Sequence, residues 1–213
     1  MYNFHKTERA YCSPTVTKVI FLDIDGVLQP HSSQQRFDRI KEGSIAKLYE
    51  VLKQIHNVDY SVYKDYDVAA VYYDWCRSSV ELLRDILSKT GAKIVLSSDW
   101  RYFGMNAMYD FFTIHSLQKY YIDQTIDSSY DLKDSEFDIL KDKYRNKYKN
   151  NRIYLRRVVE ILNYLDQYPH IKNYVAIDDL NLSPGLENHF VHTDDWITEE
   201  NAANILKILE SND

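Results

Sequence analysis

Apolar positions along the chain fall into two patterns: short unbroken runs, and longer segments spaced like one face of a helix. Lys18–Leu22 (KVIFL), Lys93–Ser97 (KIVLS) and Asn173–Ile177 (NYVAI) are of the first kind. Their length and β-branched content predict buried strands. His189–Thr193 (HFVHT) predicts a fourth. Ile45, Leu48, Leu52 and Ile55 recur at helical spacing behind Ser44, a candidate cap. Val80, Leu83 and Leu87 follow the capping-box pattern Ser78-x-x-Glu81 and precede Gly91, a stop signal. Leu155, Val158, Val159, Leu162 and Leu165 mark a further helix closed by Pro169. Ala202, Ile205, Leu206 and Leu209 mark the last, behind Thr198. A helix is also expected around 104–118. Residues 57–73 show no clear period, and the rest of 102–150 is not placed by its pattern.

Strands alternating with helices predict an α/β fold: a doubly wound, mostly parallel sheet with helices on both faces. Ligands bind beyond the carboxyl ends of such strands. Three of the predicted strands end in reactive residues: Asp23 and Asp25, Ser97 and Ser98, Asp178 and Asp179. Parallel strands bring these ends to one edge. Carboxylates crowded there resist ionising together, and a divalent cation removes that conflict. An all-oxygen donor set suits Mg²⁺ rather than zinc.

The length, 213 residues, suits a single domain over 1–213 with insertions at about 30–74 and 102–151 as candidate caps. Net charge is −6, which argues against a protein coated in positive charge. One stretch runs the other way. Lys141 to Arg157 holds eight Lys/Arg and one Asp, a formal +7, with Tyr144, Tyr148 and Tyr154 interleaved. Two readings stand: a solvated helical face balanced by acidic neighbours, or a surface for a nucleic-acid end. The 19 tyrosines chiefly suit half-buried positions. Cys12 and Cys76 have no metal-ligand spacing, and a reduced, cytoplasmic setting is expected. No apolar stretch approaches the roughly 18 residues of a membrane span, and the first residues lack a signal-peptide core. His189 and His192 fit no zinc pair.

FLDIDGVL, IVLSS and YVAIDD, in that order, resemble the first, second and fourth motifs of the haloacid dehalogenase (HAD) superfamily over roughly residues 18–195. IVLSSDWR, the RVVEI phrase beginning at Arg157, and YVAIDDL are similar to a narrower group, the HAD domains of bacterial Swiss Army Knife RNA repair proteins. The resemblance implies a HAD-like phosphohydrolase. Asp23 is then the nucleophile that forms an aspartyl-phosphate. Asp25 protonates the leaving oxygen and later takes a proton from water. Gly26 allows a tight turn beside the phosphate. Mg²⁺ is expected on Asp23, the Asp25 carbonyl and Asp178, with Asp179 reaching it directly or through water. Ser97 is expected to bind a phosphate oxygen, with Ser98 less favoured. Arg101 and Arg152 are further candidates for substrate contact.

The third motif needs a cation near the start of the helix before the last acidic strand. Arg152, Arg156 and Arg157 compete, and the RVVEI phrase points to Arg157. Asp99 departs from the small neutral residue expected of the narrower group. The expected substrate is a phosphorylated small molecule, a nucleotide or a nucleic-acid end, and no membrane is involved. A mildly acidic optimum follows if Asp25 enters the cycle protonated. Dehalogenation is disfavoured by Asp25 itself. The competing reading is a catalytically idle domain that binds phosphate or RNA. Asp99 and the open third motif are what keep it in play.

Overall fold

The computed structural model describes residues 12–211. Five strands form one all-parallel sheet: β1 (Lys18–Leu22), β2 (Lys93–Leu96), β3 (Tyr121–Gln124), β4 (Asn173–Asp178) and β5 (Phe190–His192). Their order is β3-β2-β1-β4-β5. The helices are α1 (Arg36–Lys41), α2 (Ile45–His56), α3 (Asp65–Ala69), α4 (Arg77–Thr90) and α5 (Met105–Ile114). They continue with α6 (Ser128–Asp131), α7 (Asp134–Tyr148), α8 (Arg156–Gln167), α9 (Ser183–Leu186) and α10 (Glu199–Glu210).

β1 lies at the centre. Leu22 pairs with Leu96 on one side and Ile177 on the other. That register sets the residues after each strand side by side. Alternate residues point to opposite faces. Ile20, Leu22, Ile94, Leu96, Val175 and Ile177 join one core cluster with residues of α4, α5 and α10. Val19, Phe21, Val95 and Ala176 join the other, with Phe137 and Tyr144 of α7 and Val158, Val159 and Leu162 of α8. Both faces are therefore covered, which is the doubly wound arrangement.

Helix ends depart from expectation at two points. Ser44 stands at the start of α2, but its hydroxyl donates to the Arg39 carbonyl instead of capping. Ser78 does not open α4. The Cys76 N–H is held by the Leu28 carbonyl at 2.6 Å, and the helix begins at Arg77. Ser79 is turned to the Ile197 carbonyl. Gly91 at +71° closes α4, and Thr198 caps α10 with Asn201.

Residues 57–73 lack a readable period because they change helix type. A 3-10 turn (Tyr60–Val62), α3 and a π turn (Ala70–Asp74) follow one another, each with its own repeat. Their apolar residues Tyr60, Val68 and Val71 still enter the larger core cluster. The 102–151 stretch is not all accessory, since it supplies α5 and the edge strand β3.

Candidate functional site

Asp23 directly follows β1, and its N–H continues the ladder to the Ile177 carbonyl at 3.0 Å. It is 6% exposed. The chain then folds back: Gly26 N–H reaches the Gln29 carbonyl at 2.8 Å, with Gly26 at φ +67°. A Cβ at Gly26 would lie 2.7 Å from the Asp179 Cβ, so both the backbone angle and the space require glycine. Asp178 ends β4 and is fully buried. Asp23, Asp178 and Asp179 each offer an oxygen within 4.8 Å of the others.

Arg157, in the first turn of α8, is buried among these acids. It lies 3.1 Å from Asp23 Oδ1, 3.1 Å from Asp178 Oδ2 and 3.3 Å from Asp99 Oδ1. It also donates to the Ser97 carbonyl. Asp99 thus pairs with Arg157 while its side chain remains mostly in solvent. The other two arginines go elsewhere. Arg152 is exposed and 3.7 Å from Glu187. Arg156 lies over the Phe137 ring and 3.1 Å from Asp134.

The two serines separate. Ser97 stays in the ladder, donating its N–H to the Leu22 carbonyl, and its hydroxyl lies 3.5 Å from Thr125 Oγ1. The Ser98 hydroxyl lies beside the Asp23 carboxylate, where it favours the charged form, and accepts the Trp100 N–H. The hydroxyl beside Asp23 is therefore that of Ser98. Arg101 does not reach the acids. It is buried against Glu160 at 2.7 Å, with Thr125 and the Ile126 carbonyl as further acceptors.

Asp25 is held at both carboxylate oxygens. Gln29 Nε2 donates to Oδ1 at 2.6 Å, and Trp100 Nε1 donates to Oδ2 at 3.0 Å. Sequence reasoning had not singled out either donor as a site residue, nor His31, whose Nε2 lies 3.1 Å from Asp179 Oδ2. Gln29 and His31 follow closely on the Asp25 turn, and Trp100 follows the second strand end; proximity to the motifs was the only signal. His189 stacks on Tyr174, and His192 Nε2 contacts the Asp179 carbonyl.

Burial dominates the electrostatics. It raises the Asp23 carboxyl, opposed by Arg157 and Ser98. It pushes Asp178 up to about 8; Arg157 opposes the shift and Asp23 reinforces it. One guanidinium does not satisfy this many acids, and the donors are all oxygen. The set fits a hard divalent cation, with Asp23, Asp178 and Asp179 as its ligands.

The basic stretch resolves differently. Lys141 pairs with Asp138, Lys143 and Lys147 with Asp166, Arg145 with Asp142, and Tyr144 is buried. Cys12 and Cys76 are free thiols, the first buried and the second half-buried. Among the described residues no helix is long and apolar enough to cross a membrane.

Residues 19–202 match the family described as the HAD domain in Swiss Army Knife RNA repair proteins. No curated protein and no solved structure matches the chain. The matched span takes in all three strand ends and the helix that carries Arg157.

Proposed function

The chain belongs to the HAD domains of Swiss Army Knife RNA repair proteins, and from that membership we propose a Mg²⁺-dependent phosphomonoester hydrolase acting through an aspartyl-phosphate on Asp23. The observation that carries the reading is the gathering of Asp23, Asp178 and Asp179, the first two buried against one guanidinium and the third half-buried beside them. When bound by these acids and the Asp25 carbonyl, Mg²⁺ supplies neutralisation of phosphate charge.

The protein's own groups carry the remaining chemistry. An Asp23 oxygen forms a bond to phosphorus as the bond to the leaving oxygen breaks. Asp25 gives its proton to that leaving oxygen. Water then attacks the aspartyl-phosphate, passing a proton back to Asp25 and releasing inorganic phosphate and free Asp23. Arg157 holds Asp23 in place. Ser98 is the hydroxyl we assign to a non-bridging oxygen of the phosphoryl group, because it already lies beside Asp23.

For the organic part of the substrate we assign a groove of about 1020 Å³ that begins at Pro30, next to the Asp25–Gln29 turn. Tyr72, Tyr73 and Trp196 supply aromatic surface, and Arg77 and Arg84 supply cations. Aromatic faces with cations suit bases attached to a phosphate. The substrate class is therefore a phosphorylated nucleotide or nucleic-acid end. The basic stretch is not needed, since its cations are largely paired with acids.

The test uses an aryl phosphate with and without Mg²⁺, beside Asp23→Asn. Turnover that needs the metal and is lost in Asp23→Asn supports the reading; activity surviving the substitution rejects the nucleophile. Oligonucleotides phosphorylated at the 3′ or 5′ end are then compared with nucleotides and sugar phosphates. Equal kcat/KM for sugar phosphates would reject the groove assignment.

A further inference from the structure

We propose that Asp74, Arg36 and Gln29 form a positioning relay through which the first insertion aims Asp25 at the leaving oxygen. The inference rests on the acid–base role given to Asp25 above.

The relay can be followed atom by atom. Gln29 Nε2 donates to Asp25 Oδ1 at 2.6 Å. Arg36 Nη1 donates to Gln29 Oε1 at 3.2 Å. The Arg36 N–H donates to Asp74 Oδ1 at 3.0 Å. Arg36 Nε and Asp74 Oδ2 are 3.2 Å apart but out of line for a hydrogen bond, so charge holds that contact. The Tyr66 ring centroid lies 4.5 Å from the guanidinium. Gln29, Arg36 and Asp74 are all buried.

The guanidinium decides how the amide faces. Arginine has donors and no acceptor, so only the amide oxygen of Gln29 can face it. The NH₂ group must then face Asp25. Without Arg36 the amide is free to flip and present its oxygen to Asp25 instead. Trp100 Nε1 holds the second carboxylate oxygen, so the carboxyl plane is fixed at two points. A proton donor must be held close to its productive geometry to be effective.

Stability alone is a weak account of Arg36 and Asp74. Burying both ions carries a large desolvation cost, and well-packed apolar residues are often as stable. The pair also joins the two ends of the first insertion, Arg36 in α1 and Asp74 at the end of the π turn. The segment that walls the groove thereby also sets the acid.

Leaving-group dependence tests the relay. A good leaving group departs without a proton, whereas a poor one needs Asp25. Wild type, Gln29→Leu, Arg36→Met and Arg36→Lys are assayed with Mg²⁺ on dinitrophenyl phosphate and on a simple alkyl phosphate. Gln29→Leu and Arg36→Met should each lose about 30- to 100-fold on the alkyl ester, a part of the roughly 10²–10⁴-fold that general acid catalysis supplies. They should lose no more than about threefold on the dinitrophenyl ester, and Arg36→Lys, which keeps a donor on Gln29, should recover most of the loss. The ratio of the two rates is taken in one sample, so a partly unfolded variant cancels out. Equal losses on both esters, or none on either, overturn the relay. Asp25→Asn is the control for the underlying reading: if it loses no more on the alkyl ester than on the other, the acid role fails, and the relay with it.

Discussion

Arg157 and Arg101 are both buried arginines facing acids, yet their surroundings differ in kind. Arg101 has one carboxylate at hydrogen-bond distance, Glu160 at 2.7 Å, with Asp127 at 4.0 Å. The other oxygen of Glu160 accepts the Ser128 N–H and hydroxyl at 2.8 and 2.6 Å. Both Glu160 oxygens thus have donors, and Arg101 Nη1 has three acceptors, although its Nε has no hydrogen-bond partner among the described residues. Arg157, one turn earlier on the same helix as Glu160, is shared by Asp23, Asp178 and Asp99. Asp179 adds a further acid at its edge. A matched buried pair fixes structure; an unmatched excess of buried acid costs stability and is useful only if a cation arrives. On the proposed function, this difference, rather than burial or charge alone, separates a structural arginine from one at a reactive centre.

The largest effect expected from breaking the comparison is on stability. Arg101→Met leaves Glu160 buried without its partner and should cost about 3–5 kcal/mol in urea unfolding. Arg101→Met with Glu160→Met should recover most of that loss. Turnover per folded molecule should stay within about threefold of wild type, because Arg101 is turned to Glu160, Thr125 and Ile126 and not to Asp23, Asp25 or Asp178. A large loss of turnover with normal stability would place Arg101 at the substrate and erase the contrast.

Arg157→Met should behave the other way. Removing a cation aimed at the nucleophile should lower kcat by about 10²–10³, as for other preorganised charge partners. With Mg²⁺ present, unfolding should change less than in Arg101→Met. If Arg157→Met unfolds the protein as strongly as Arg101→Met and leaves kcat intact, the two arginines play one structural role.

Much of this contrast was legible in the chain. Asp23, Asp178 and Asp179 follow apolar runs whose parallel pairing is forced by the intervening helices, so their meeting could be read from order alone. Choosing Arg157 over Arg152 and Arg156 needed the RVVEI phrase, because three arginines near one helix start point in different directions. Ser98 was hidden by the assumption that a strand ends where its apolar run ends; Ser97 still belongs to the ladder. Arg101 looked like a phosphate ligand because its buried partner Glu160 lies 59 residues away. Trp100 meets Asp25 across 75 residues. β3 (YIDQ) could not be found by pattern, since this edge strand buries the polar Asp123, which accepts the Tyr164 hydroxyl.

A metal should shift the same balance by a smaller amount. Binding at 100 times its Kd stabilises the fold by about 2.7 kcal/mol. The pH dependence follows from Asp178. Its ordinary value is 3.8 and burial raises it to about 8 in the fold. In metal-free protein its contribution to stability is full below the ordinary value and is lost as pH rises through about 8. Mg²⁺ binds the carboxylate and must displace the proton. The Mg²⁺-induced rise in Tm should therefore be greater at pH 8.5 than at pH 6, and calorimetry in two buffers should register proton release. Asp178→Asn should abolish both signals; a pH-independent rise that survives it would place the ion elsewhere.

The smallest effect bears on the two serines. Ser98→Ala removes the hydroxyl beside Asp23, and with it one hydrogen bond to the charged nucleophile or to phosphate. Such a bond is worth about 1.5 kcal/mol at the low end of its range, so kcat should fall by roughly tenfold. Ser97→Ala removes only a long contact to Thr125 on the Arg101 side, and kcat should change by less than about twofold. The reverse ranking would mean that the reactive pocket opens toward Thr125. Arg101 would then face substrate, and the division between the matched and unmatched arginines would fall at the wrong residue.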